Sequence, residues 1–257
     1  MADIRNSHMR TATAREQDAA QIDEGLRAHM NRVYGLMSLG MLVTGVIAYI
    51  VGMDYAAARA GEATTFLSPE ILQTMYTSPV RYIIMFAPLL VVFGFGAAVN
   101  RLSENAARGV FLLFSALMGL SMSWIFAVFT GVSIAQTFFV TAIAFLGLSL
   151  YGYTTKRDIS AWGSFLIMGV IGLIVASIVN IFLASSALAF AISAIGVLVF
   201  AGLTAYDTQN IKNTYIAMAS HGQTEWLGKA AIMGALSLYL DFLNMFQFLL
   251  MFMGSQE

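Results

Sequence analysis

Seven apolar runs dominate the chain and leave it few folds to choose from. They lie at Val33–Met53, Tyr82–Asn100, Gly109–Phe129, Val132–Tyr153, Ser160–Leu183, Ala187–Tyr206 and Ala231–Met253. Each is close to the roughly 20 residues that cross a bilayer as an α-helix. In hydrocarbon every backbone N–H and C=O must be satisfied within the segment, so runs of this length specify helices. Charged residues make up 11% of the chain and its mean hydropathy is +0.77, against about 25% charge in soluble domains. There is too little polar surface to cover the molecule in water, so it is read as an all-α integral membrane protein. The links at Thr130-Gly131 and Ala184–Ser186 are short enough to demand tight helical hairpins. The first run is read as a spanning helix and not as a secretory leader.

The division expected is a polar N-terminal tail, residues 1–32, followed by the seven-helix domain, residues 33–257. Met1 to Gln21 is read as a mobile tail, and Ile22 to Arg32 either as a helix lying along the membrane surface or as part of a plain solvated leader.

Charge sets the orientation. Eleven of the thirteen basic residues fall in the N-terminal segment and the second, fourth and sixth loops; Arg59 and Arg81 alone lie on the other side. The positive-inside rule then places the N-terminus in the cytoplasm and, after seven crossings, the C-terminus outside. Ser68-Pro69-Glu70 and Ser78-Pro79 each set a capping serine before a proline, which predicts a short surface helix and the start of the second crossing. Ser115, Gly119 and Ser123 lie four apart, and Gly94/Ala98 and Ala230/Gly234 repeat the spacing of small residues that lets membrane helices approach closely. Tyr151, Tyr153, Trp162 and Trp226 at one set of ends, and Tyr82 and Trp124 at the other, fit aromatic belts.

Two carboxylates stand out. Asp241 sits within the last run, and a charge there costs roughly 2.5–3.5 kcal/mol on the insertion scale, so it is expected to face the protein interior. Asp207 closes the sixth run in TAYDTQNIK. If that helix continues to about Lys212, the two acids fall at overlapping depths. The alternative for Asp207 is an ordinary water-exposed residue at a helix end. Thr204 and Asn210 flank Asp207, and Ser237 and Asn244 flank Asp241, at helical spacings, which predicts a satisfied polar site. Two neighbouring carboxylates titrate as a coupled unit, so the pair suits a pH-sensing gate or a weak Ca²⁺ or proton site. Calcium prefers several oxygen ligands, and Asn, Ser and backbone oxygens are at hand. Arg101, at the inner end of the second helix, is the basic residue best placed by depth to act as a counter-charge.

Other chemistry has little support. There are no cysteines, which excludes disulfides and thiolate metal sites. His8, His29 and His221 lack metal-ligand spacing, although His221, near Glu225, is a candidate for tuning a pH response. No P-loop, nucleophile elbow, dinucleotide fingerprint or HExxH motif is present, and nothing points to nucleic acid. An intramembrane aspartyl protease is a rival, since paired acids activate water, but neither TAYDTQ nor LYLDFL supplies the GxGD context. The chain is therefore not read as an enzyme, and no cofactor is expected beyond Ca²⁺ as a bound or transported ion.

Ala205–Lys212 (AYDTQNIK), Ala235–Phe246 (ALSLYLDFLNMF) and Gly25–Met37 (GLRAHMNRVYGLM) resemble the Bax inhibitor-1 family, also called the transmembrane Bax inhibitor motif family, in its bacterial branch. The resemblance covers about Ile22 to Met253. It implies seven helices with the last one central, wrapped by the other six in two three-helix layers, in the bacterial inner membrane. It also implies a pH-dependent calcium leak gated by a di-aspartyl sensor, which maps to Asp207 and Asp241. Arg101 matches the position of a switch partner for the first aspartate. The acid that some relatives carry in the second helix is absent from Tyr82–Asn100. A second reading that bacterial relatives suggest is a regulator acting through a membrane-bound AAA protease, with residues 1–32 as the contact. A proton-coupled transporter is third.

Overall fold

A computed structural model describes the backbone of residues 2–221 and 226–255, with side chains from Gln21 onward; Glu225 lies outside the described residues. Its helices are α1 (Ala2–Ala60), α2 (Pro69–Thr77), α3 (Val80–Ala98), α4 (Glu104–Met122) with a 3-10 turn (Ser123–Ala127), α5 (Gly131–Thr154), α6 (Trp162–Leu183), α7 (Ser186–Ser220) and α8 (Leu227–Met253). All but α2 are long and apolar enough to cross a membrane, seven among the described residues.

Helix α8 is the core. It packs against α1 and α4 on one side and against α5 and α7 on the other. Helix α3 docks on α4, and α6 on α7. The two three-helix layers are thus α1–α3–α4 and α5–α6–α7, with α8 between them. Leu238, Tyr239 and Met245 of α8 are almost wholly enclosed, whereas α3 and α6 turn most of their apolar side chains outward, as lipid-facing helices do.

Two helices overrun the membrane at the end that carries most of the basic residues, called here the basic end. The boundary expected at residue 32 is not a break: α1 continues unbroken through residues 2–32. TATAREQDAAQ is rich in good helix formers and holds neither Gly nor Pro, so nothing stops the helix. Nor does Ile22–Arg32 lie apart along a surface, because Leu26, His29 and Met30 are buried. His29 packs on Tyr215 of α7, with ring centroids 5.0 Å apart, and Arg32 pairs with Glu104 at the start of α4. Helix α7 likewise runs fourteen residues beyond the apolar stretch that ends at Tyr206.

The small-residue stripes differ in outcome. Ser115 and Ser123 are fully buried, and a Cβ on Gly119 would lie 2.6 Å from the Thr44 carbonyl oxygen of α1, so this stripe is a close-packed seam. A Cβ on Gly234 would touch Ile211 of α7 at 3.0 Å. Gly94 meets nothing: α3 docks through Phe95 and Val99, which are buried, and its small face looks outward. Oxygen caps fix the helix starts. Ser68, Ser103, Thr130 and Ser185 accept N–H groups of α2, α4, α5 and α7. The α6–α7 hairpin turns on Ala184 in the left-handed region, at φ 48°.

Candidate functional site

The sixth and seventh apolar runs form the most closely packed helix pair, α7 against α8. Continuing α7 past Tyr206 keeps Asp207 on a helix in place of a frayed end, and it is half-buried there. Asp241 is 4% exposed on α8. Asp207 and Asp241 thus lie on two helices packed against each other.

The polar neighbours do not serve them. Thr204 is fully enclosed, but its hydroxyl donates to the Phe200 carbonyl. Asn244 donates to the Leu240 carbonyl. Asn210 points to the surface and Ser237 is half-buried. The expectation of a satisfied polar site therefore fails: Oδ2 of Asp241 is buried with no hydrogen-bond partner. The reason is local, since a Ser, Thr or Asn within a helix readily bonds the carbonyl one turn back, and its capacity is then spent on its own helix. Arg101 lies exposed on the turn after α3. Among the described residues it makes no ion pair with either aspartate, and the ion pairs present join Glu104 to Arg32 and Arg108.

A hydrogen-bonded chain that the sequence did not reveal adjoins Asp207. Tyr34 of α1 bonds the Ser149 hydroxyl of α5, which lies 3.0 Å from the Thr208 hydroxyl, which in turn donates to the Thr204 carbonyl. Gln209 clamps the α5–α6 loop: it accepts the Ile159 N–H at 2.9 Å and donates to the Arg157 carbonyl at 2.8 Å. Lys212 Nζ donates to the Tyr153 carbonyl at 2.7 Å. The motif AYDTQNIK thus carries Asp207 together with the groups that anchor its helix to α5. One helical turn along α8 from Phe242, buried Tyr239 shares a 2.6 Å hydrogen bond with Thr44 of α1.

At the opposite end lies a third acid, which the apolar pattern does not mark as a site. Asp54, buried at the end of the first apolar run, accepts the N–H groups of Thr65, Phe66 and Leu67 at 2.6–2.8 Å. It holds the loop that leads into α2. Tyr76 of α2 stacks on Tyr55 at 3.8 Å and bonds Ser123. A lone acid at the end of an apolar run was the available signal, but its partners are bare backbone and leave no side-chain pattern. Ser255 closes the same end, donating its N–H to the Ser133 hydroxyl and accepting that of Thr130.

Among the described residues no three His, Asp or Glu side chains gather as a metal cluster. A central apolar helix with a buried, unpartnered carboxylate beside a second acid can hold a proton between the two or receive a cation.

Comparison with known proteins agrees with this architecture. The family model described as "Inhibitor of apoptosis-promoting Bax1" matches residues 26–257. The inner membrane protein YbhL of Escherichia coli is 43% identical, with 95% of this chain and 98% of that protein covered. A protein of Caulobacter vibrioides is 42% identical over the full length of both chains. Protein YrjE of Lactococcus lactis is 34% identical over 91% of this chain and 93% of its own. Seven apolar helices, a central α8 carrying Asp241, Asp207 beside it, and these matches along the chain's length together make this membrane protein a member of the Bax inhibitor family.

Proposed function

We propose that this protein is a pH-sensitive calcium leak channel of the bacterial inner membrane, gated by Asp207 and Asp241. The observation that carries the reading is the buried Asp241, whose Oδ2 has no partner, on the helix packed against the one that carries Asp207. Two like charges in a low-dielectric site repel strongly, so the pair retains a proton or takes up a cation. Sharing a proton draws α7 and α8 together; losing it pushes them apart. No lysine, arginine or histidine among the described residues pairs with either acid, so this repulsion is not cancelled by a salt bridge. Arg101 is the candidate for a counter-charge in an altered conformation, in which α3 would shift on α4.

Calcium is cargo in this reading. Two carboxylates fall short of the six to eight oxygens that hold Ca²⁺ firmly, and weak coordination suits passage. The orientation proposed is N-terminus in the cytoplasm and C-terminus outside, because the basic end holds most of the lysines and arginines. A reporter fused after Glu257 should be found outside.

The gate is tested by Ca²⁺ entry into liposomes from mildly acid to mildly alkaline pH. Asp207→Asn and Asp241→Asn should each change the shape of the pH profile. Wild-type profiles in both variants refute the gate. Absence of a leak in the wild type moves the reading to the regulator of a membrane-bound protease, for which the α1 extension at the basic end offers a contact surface.

A further inference from the structure

Helix α1 packs on α4, α7 and α8 but not along α5; the Tyr34–Ser149 hydrogen bond bridges the space between α1 and α5, and a void lies on either side of that bridge. The upper part of this space is an apolar groove of about 820 Å³ lined by Met41, Gly45, Tyr49, Phe138 and Leu146 and floored by Phe242 of α8. Its lower part is a void of about 370 Å³ at the basic end, lined by Arg27, Asn31, Tyr34, Ser149 and Tyr153. The two meet at Tyr34 and Leu146, which line both.

We propose that this cleft binds one anionic phospholipid of the leaflet at the basic end. Its phosphate would sit by Arg27, Asn31 and the Tyr153 ring, and one acyl chain would lie along Met41 and Gly45. Length supports this. From Tyr34 to Ile50 the groove follows about 24 Å of helix at 1.5 Å per residue, more than the roughly 15 Å depth of one leaflet of a 30 Å hydrocarbon core. A chain can therefore lie extended within it. The division of chemistry also fits a lipid, with an almost purely apolar groove above and hydrogen-bonding groups with a cation below.

Charge decides between head groups. Arg27 is exposed, and among the described residues it has no carboxylate partner: Asp23 and Glu24, its neighbours on α1, form no ion pair with it. The Lys212 ammonium lies 5.8 Å from the centre of the Tyr153 ring and adds a second positive charge beside the lower void. No acid lines either part of the cleft. A zwitterionic head group would gain far less there than a phosphodiester with net negative charge. The site also touches the candidate gate, because Tyr34 and Ser149 in its wall are the first links of the chain to Thr208. Lipid occupancy and the position of α7 are thus mechanically joined, although the binding proposal stands without any channel activity.

The test is native mass spectrometry of protein released from nanodiscs of equal phosphatidylglycerol and phosphatidylcholine. The wild type should retain one phosphatidylglycerol with a preference of about fivefold or more, the ratio given by about 1 kcal/mol per basic side chain at a membrane surface. Arg27→Glu should abolish the preference. Gly45→Trp, placed where an added side chain meets open space, should fill the groove and lose the bound lipid while the protein stays folded. Arg81→Glu makes the same change of charge at the opposite end of the molecule, on an exposed residue that lines neither part of the cleft, and should keep the preference. Equal retention of both lipids by the wild type overturns the proposal. So does a preference that survives Arg27→Glu, or one that Arg81→Glu lowers as much.

Discussion

Gly119→Ala tests the seam on which the first layer is built. A Cβ at Gly119 would stand 2.6 Å from the Thr44 carbonyl oxygen, 3.0 Å from the Ile47 Cβ and 3.1 Å from the Thr44 Cα. Ordinary contact starts at 3.4 Å, so the closest approach is 0.8 Å too short. None of these atoms can rotate away, and α1 and α4 must part. Overpacking of this kind costs about 1–3 kcal/mol, and rigid backbone places it near the top of that range. Alanine returns up to about 1 kcal/mol of helix propensity, which leaves a net loss of about 2 kcal/mol. For a chain of this size that lowers Tm by about 4–8 °C. The control is Gly109→Ala on the same helix, where the added methyl meets nothing and Tm should rise by a few degrees. Thermal unfolding in detergent, followed by tryptophan fluorescence, separates the two. The displaced Thr44 also holds the Tyr239 hydroxyl, so Gly119→Ala should further make Tyr239→Phe nearly free of additional cost. A Gly119→Ala protein as stable as Gly109→Ala would refute the close seam.

Asp54→Asn leaves one carbonyl oxygen to serve three N–H groups now divided between two carboxylate oxygens. It should cost about 2–3 kcal/mol and hasten proteolysis between Gly61 and Ser68. Ala184→Gly relieves a left-handed residue and should stabilise the α6–α7 hairpin by about 1 kcal/mol, read as a rise in Tm. Asp158, in the α5–α6 loop, has its carboxyl held below the usual carboxylate range by the hydroxyl and N–H of Ser160. The stability it contributes is present above the ordinary carboxylate range and lost as pH falls through its lowered value. Ser160→Ala should accordingly lower Tm at neutral pH, and the difference from wild type should vanish in acid; a constant difference at all pH values would contradict the assignment.

The seven crossings, their order and the two acids were legible because hydrocarbon imposes its rules locally. A run of some twenty apolar residues must become a helix whatever surrounds it, and an acid inside such a run announces itself. The motif AYDTQNIK lies on α7, which packs against α8. Helix limits were less legible. Apolar runs mark where a helix meets lipid, not where it ends, so α1 overran its run into a segment of good helix formers, and α7 ran on through Asp207–Ser220, whose only signal is that it holds neither Gly nor Pro. The stripe at Gly119 was readable and the one at Gly94 misleading, because spacing shows that a helix can be approached closely and not whether a neighbour does so.

Tertiary structure alone decided how polar groups are spent. Thr204 and Asn244 have the right chemistry and spacing to serve the aspartates, yet their hydrogen bonds go to their own helices. Asp54 meets backbone donors brought to it by a turn. Tyr34, Ser149 and Thr208 lie on three helices far apart in sequence and become one chain only when α1, α5 and α7 converge. Transfer into a membrane is a property of a segment and can be read from it. Hydrogen bonding and electrostatics act over a few ångströms, and the atoms that fall within that range are chosen by packing.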